Sequence, residues 1–202
     1  MEDRYVVTIQ RQFGSLGRPI AKKMAEILGI DYYDRDIVEL AAKKMNLPIS
    51  IVGNMEETVS SSFFRMKFPL GDGDIRTQTE LFEVQKKIIT DIADREPCII
   101  VGRCSDYILR DYKNCIHIFI YAPFEARFNN CVNNLNIAPG EAKKLIQDVD
   151  RARANYHRYF TKTLPQDIRT KSLLIDSSLL GPDGTAALLV DAVKRKFAYL
   201  FH

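Results

Sequence analysis

The sequence predicts an α/β fold: an open parallel sheet covered by helices on both faces. Three observations lead there. Short, nearly continuous Val/Ile runs recur along the chain, helical periodicities separate them, and 202 residues at 46% hydrophobic content suffice for one full core. The first strand is residues 5–9, Tyr5-Val6-Val7-Thr8-Ile9. A helix over 19–28 follows, because Ile20, Ala21, Met24, Ala25 and Leu28 keep one face and Gly29 suits a C-cap. A short strand at 31–33 leads to a helix at 35–46. Residues 47–77 break the alternation with Pro48, Gly53, a serine run, Pro69 and Gly71-Asp72-Gly73. So long a stretch inside a compact domain reads as a small lobe over the sheet edge. A helix at 78–95 returns to strands at 98–102 and 115–121, then helices at 124–135 and 139–160, a strand at 173–176 and a helix at 184–199.

Composition narrows the function. A net charge of +3 with no long Lys/Arg block argues against nucleic acid. No apolar run reaches membrane-spanning length, and Met1-Glu2-Asp3-Arg4 does not begin a secretory signal, so a cytoplasmic protein is expected. Cys98, Cys104, Cys115 and Cys131 are scattered and read as reduced thiols. The oligomeric state is not legible, since the apolar end Phe197 to Phe201 suits either core or contact surface.

The chemistry concentrates between the first strand and helix. There Gln10-Arg11-Gln12-Phe13-Gly14-Ser15-Leu16-Gly17-Arg18 forms a glycine-containing turn with a cation at its end. Turn amides and a helix N-terminus converge on an anion. Set against G-x-x-x-x-G-K-[ST], only Gly17 matches; Gln12, Arg18 and Pro19 replace the first glycine, the lysine and the hydroxyl. Pro19 suits a first helical turn but removes a Mg²⁺-holding hydroxyl and one amide. Arg18 offers a planar fork in place of a point charge, and Arg11 adds a second cation. Carboxyl ends of parallel strands carry ligands, and that edge collects Gly14 to Arg18, Asp34 and Arg103. A second cation-rich stretch, residues 150–171, reads either as a lid over phosphates or as a solvated helix face. On a helix Asp150, Arg153 and His157 share one face, and Arg151 lies on another. Tyr156, Tyr159 and Phe160 read as packing within that stretch.

Four stretches in order, Arg11 to Arg18, Asp31-Tyr32-Tyr33-Asp34, Pro97 to Leu109 and Asp150 to Tyr156, resemble the cytidylate-kinase-like branch of the P-loop nucleoside monophosphate kinases. The resemblance implies a P-loop three-layer α/β/α fold with a five-stranded parallel sheet. It also implies a small helical acceptor lobe at about 45–95 and a lid at about 150–171, all within one domain. It implies transfer of the γ-phosphoryl group of ATP, with Mg²⁺, to a nucleoside monophosphate or related small phosphorylated acceptor. Gly14, Ser15, Leu16, Gly17 and Arg18 would bind the nucleotide, and Arg18, Asp34, Asp150 and Arg153 would serve catalysis. Asp34 reads as a metal carboxylate or an N-cap, and Arg103 as an acceptor-phosphate ligand or a surface arginine. The family's Asp-Gly-Arg-Asp turn is Val101-Gly102-Arg103-Cys104 here, so Asp106 is assigned to the acceptor base and Arg35 to the acceptor phosphate. The competing function is a catalytically weak nucleotide- or anion-binding module on the same fold, favoured by Pro19 and Val101.

Overall fold

The computed structural model describes residues 4–34, 36–45 and 75–201. Among these, strands β1 (Val6–Arg11), β2 (Asp31–Tyr33), β3 (Cys98–Val101), β4 (Cys115–Tyr121) and β5 (Leu173–Asp176) form one sheet in the order β2-β3-β1-β4-β5. Every neighbouring pair is parallel. The helices are α1 (Gly17–Leu28), α2 (Asp36–Lys44), α3 (Ile75–Ala93), α4 (Ser105–Ile108), α5 (Phe124–Asn133), α6 (Pro139–Thr161) and α7 (Gly181–Lys196). The acceptor lobe and Arg35 of the sequence reading fall wholly or largely outside the described residues.

Alternation along the strands divides the core into two layers. Val7 and Ile9 of β1, with Ile99 and Val101 of β3, face Ile20 and Met24 of α1 and Leu189 and Val193 of α7. Val6, Cys98 and Ile100 point the other way, against Ile37 of α2 and Ile88, Ile89 and Ile92 of α3. A third cluster joins Phe13 to Cys131 of α5 and to Ile146 and Val149 of α6. Phe197 belongs to the core, stacked on Tyr5 at 5.0 Å between ring centroids, whereas Tyr199 and Phe201 are exposed. All four cysteines are free and buried. No described helix is long and apolar enough to cross a membrane.

Helix ends at α2, α3 and α7 differ by one to three residues from the periodicity reading, and two further boundaries shift next to the turn at 12–16. Strand β1 runs on to Arg11 because Gln10 and Arg11 pair with Phe119 and Ile120 of β4. Helix α1 begins at Gly17, leaving residues 12–16 as the whole connection. That connection emerges where β1 parts from its two neighbours, β3 and β4, at their carboxyl ends. Crevices at such positions are where open α/β sheets bind ligands. Helix α4 has no strong apolar period and was not anticipated.

Full burial at the centre of the sheet sets the cost of truncation. Ile9→Ala should destabilise the protein by about 3–4 kcal/mol, and Ile27→Ala on the exposed face of α1 by less than about 1 kcal/mol. Urea unfolding followed by circular dichroism checks both values.

Candidate functional site

The turn after β1 is held by its carbonyls. Arg153 Nη1 donates to Arg11 O at 3.1 Å, and Ser15 Oγ donates to Gln12 O at 2.9 Å. Arg127 Nη1 donates to Phe13 O at 3.3 Å, Asn130 Nδ2 to Gly14 O at 2.9 Å and Ser177 Oγ to Ser15 O at 2.7 Å. Five consecutive oxygens thus have donors behind them. The amides of Gly14, Ser15, Leu16 and Gly17 have no acceptor among the described residues. Gly14 (φ 76°) and Leu16 (φ 56°) adopt left-handed backbone to make this turn. A Cβ on Gly14 would lie 2.8 Å from Arg127 O, so glycine is needed for closeness as well as for φ. Helix α1 has no side-chain cap and no acidic residue in its first turn. Open amides at an uncapped N-terminus are suited to an anion.

Cations gather beside this turn. Arg18 Nε lies 2.5 Å from Asp34 Oδ2, and Arg11 Nη2 lies 3.7 Å from Asp34 Oδ1. Tyr32 donates its hydroxyl to Asp34 Oδ2 at 3.2 Å. Burial alone would raise the Asp34 carboxyl; Arg11 and Arg18 outweigh it and hold it below the ordinary range. Arg11 threads between two glycines: a Cβ at Gly17 would sit 2.8 Å from Arg11 Cβ, and one at Gly102 would sit 2.7 Å from its Nη1. Burial lowers Arg11, Asp34 opposes, and Arg18 and Arg103 lower it further. Arg153 is lowered more, by burial and then by the charge of Arg11. Four guanidiniums therefore lie near one another, with Asp34 and, for Arg153, Asp150 as their nearby carboxylates, an electrostatic condition that a bound anion relieves.

Arg103 reaches this cluster through an unusual turn. Gly102, Arg103 and Cys104 all have positive φ (77°, 55° and 53°), which costs the two non-glycine residues energy. The same turn sends Asp106 inward, and here the sequence reading needs correction. Asp106 does not face an acceptor. Its carboxylate takes Gln10 Nε2 at 2.9 Å and Lys171 Nζ at 2.6 Å, and His157 Nε2 lies 3.0 Å away, with the Lys171 and His157 side chains both buried. Burial would raise this carboxyl, but His157 and then Lys171 hold it down to about 2.

The stretch read as a lid is the C-terminal half of α6 and the chain leading to β5. Asp150, Arg153 and His157 face the sheet, while Arg151 is exposed beside Asp148. Asp150 accepts the Phe13 amide at 2.7 Å and pairs with Arg127 at 2.5 Å. Its geometry is that of a residue positioning the turn, not of one touching a ligand. Phe160 stacks on Phe82 of α3 at 4.1 Å, and Tyr156 donates to Gln85 Oε1 at 3.2 Å. These rings tie α6 to α3.

The pattern across the whole chain matches a known family: the profile of the Cytidylate kinase-like family covers residues 6–179. The chain belongs to the cytidylate kinase-like family. Among solved structures it is similar to an uncharacterized protein from Eubacterium ventriosum ATCC 27560, at 21% identity and TM-score 0.72, over 95% of this chain and 99% of that one. It is also similar to shikimate kinase from Bacteroides thetaiotaomicron, at 9% identity and TM-score 0.56, over 94% and 98% of the two chains. Shikimate kinase from Acinetobacter baumannii, solved with shikimate, shares 11% identity at TM-score 0.50 over 95% and 92%. At these identities the likeness is one of fold, the P-loop kinase fold. No curated protein matches the sequence.

A magnesium ion, which the kinase-like fold implies, does not fit the side chains present. Asp34 is engaged by two arginines and a tyrosine, Pro19 has no hydroxyl and Val101 is aliphatic. Among the described residues no three His, Cys, Asp or Glu side chains group as metal ligands. The metal role read for Asp34 is therefore corrected to one of holding Arg11 and Arg18. Sequence reasoning also missed Arg127, Asn130 and Ser177, which hold the turn from 114, 116 and 162 positions away. None carries a local signal.

The buried Asp106 group makes a separate prediction. Asp106→Asn leaves Lys171 and His157 without their anion and should cost about 3–5 kcal/mol. Because the folded carboxyl is depressed from an unfolded value of about 3.9, its contribution is full above that value and is lost as pH falls through about 2. Urea midpoints measured from pH 5 to 2 should slope more steeply for the wild type than for Asp106→Asn.

Proposed function

We propose that this protein transfers the γ-phosphoryl group of ATP to a small phosphorylated acceptor, a nucleoside monophosphate being the first to test. One observation carries the reading: four arginines, Arg11, Arg18, Arg103 and Arg153, converge on a turn whose amides are open and whose carbonyls are all engaged. Two phosphate-bearing substrates bring more negative charge than a single anion site needs, and a cluster of this size suits both. The match to the kinase-like family supports the same reaction class.

In this reading the amides of Gly14 to Gly17 and the Arg18 guanidinium hold the donor's β-phosphate. An oxygen of the acceptor phosphate attacks the γ-phosphorus in line, the bond from that phosphorus to the β–γ bridging oxygen breaks, and ADP leaves with the electron pair. Negative charge moves from γ to β oxygens, so fixed cations facing that path lower the barrier. Arg153 stands beside Arg11 with one nitrogen on the turn, placing its remaining donors near the transferring group. Arg103, on the strained turn after β3, is assigned to the acceptor phosphate.

The second reading, a binding module with weak catalysis, is favoured by the engagement of Asp34 by arginine. Turnover assays of ATP against a panel of nucleoside monophosphates separate the two. Product from at least one acceptor supports transfer; ATP binding without product from any supports the module.

Three substitutions sharpen the test. Arg153→Ala should lower kcat by about a hundredfold, or about 3 kcal/mol of barrier, because its charge acts on the moving phosphoryl group. Arg151→Ala, exposed on another face, should change kcat by less than about threefold. Gly17→Val should abolish ATP binding, since its side chain would displace Arg11 from behind the turn. Steady-state kinetics and calorimetry read all three, with circular dichroism confirming that each variant folds.

A further inference from the structure

Among the described residues, the oxygen-bearing side chains around the turn are engaged elsewhere. Ser15 is fully buried and gives its hydroxyl to Gln12 O, with Ile120 O at 3.3 Å, so it faces back into the protein. Gln12 Oε1 accepts the Ala122 amide at 3.2 Å. Asp150 takes the Phe13 amide and Arg127, and Asp34 takes Arg18 and Tyr32. A hard divalent cation needs oxygen ligands, and these already face arginine side chains, a tyrosine hydroxyl or backbone groups of the protein. The cationic side is the reverse. Arg11 and Arg153 are half-buried close to one another, with one Arg153 nitrogen on Arg11 O and their charges disfavoured, and Arg18 keeps 47% of its side chain exposed.

We propose that this site binds its polyphosphate ligand as the metal-free anion, with the arginine cluster supplying the charge that a protein-held divalent cation would otherwise bring. The inference rests on the phosphate-binding reading above and deepens it. Guanidinium forks make directional, paired hydrogen bonds to phosphate oxygens and keep their charge at every physiological pH. Asp34 serves here as a counter-ion that keeps Arg11 and Arg18 in place while the site is empty of anion. The shared chemistry is a chain of linked phosphates, found both in nucleoside triphosphates and in inorganic polyphosphate.

The test is calorimetric, on the full chain. ATP and inorganic tripolyphosphate are each titrated in buffer with Mg²⁺ and in buffer with EDTA, and Mg²⁺ alone is titrated into the protein. Dissociation constants within about threefold in the two buffers, and no saturable site for Mg²⁺ alone, are expected. Arg18→Ala should weaken binding by at least about tenfold in both buffers, since one charged phosphate contact is lost. Comparable affinity for tripolyphosphate and ATP makes the phosphate chain the recognised group; tight binding of ATP alone shows that the nucleoside is read as well, on the same metal-free site. Loss of ATP and tripolyphosphate binding in EDTA, or a stoichiometric Mg²⁺ site that Asp34→Asn abolishes, would overturn the proposal while leaving the phosphate-binding reading intact. No binding of either ligand in either buffer overturns both.

Discussion

The orientation of five peptide groups, from Arg11 to Ser15, is the constraint on which the site depends. Their carbonyls accept from Arg153, Ser15, Arg127, Asn130 and Ser177; the Gln12 and Phe13 amides bond to Ile120 O and Asp150 Oδ1, and the amides from Gly14 to Gly17 are left without an acceptor among the described residues. Each such bond contributes about 1 kcal/mol net, and bonds from charged donors about 1.5–3 kcal/mol. Together they hold the turn in its anion-receiving shape before any ligand arrives, which is where preorganised sites gain their strength. The donors come from α5, α6 and the end of β5, so the C-terminal half of the chain determines the geometry of an N-terminal turn.

Electrostatics build on that shape. Arg11 and Arg153 are half-buried near each other, an arrangement that disfavours their charges and is relieved by negative charge. Asp34 relieves part of it. The left-handed residues Arg103 and Cys104 add backbone strain on the adjacent turn. Strain, crowded cations and unpaired amides meet at one edge of an otherwise well-packed sheet. That concentration of locally unfavourable features is what distinguishes a binding edge from the opposite end of the same strands.

The Asp106 group sits just behind this edge and has a different logic. Lys171, His157 and Gln10 converge on one buried carboxylate, joining α4, α6, β1 and the chain before β5. A buried ion pair is weak as a source of net stability, but breaking it is costly, so it fixes which elements lie together. Here it holds the end of α6 against the sheet, and through Asp150 and Arg153 the same helix holds the turn after β1. Thr161 and Thr163 extend the network around His157 Nδ1, so the helix end is tied rather than frayed.

The chain order of strands and helices was legible because each rests on local pattern. Val6 to Ile9, Cys98 to Val101 and Cys115 to Tyr121 are apolar enough to be strands buried on both faces, and Ile20, Met24 and Ala25 repeat at helical spacing. The tight turn between β1 and α1 was equally legible, since Gly14 and Gly17 lie between an apolar strand and a helical period. Asp106 was misread because a carboxylate three residues past Arg103 resembles a ligand until its three partners, from 51 to 96 positions away, are brought to it. Asp34 was misread as a metal carboxylate for the same reason: its sequence neighbours do not reveal that Arg11 and Arg18 converge on it. By itself the sequence determined the elements, their order and the position of the tight turn between β1 and α1. Only the tertiary structure decided which charges face the ligand and which face each other, because pairing depends on distances that folding sets between residues far apart in the chain.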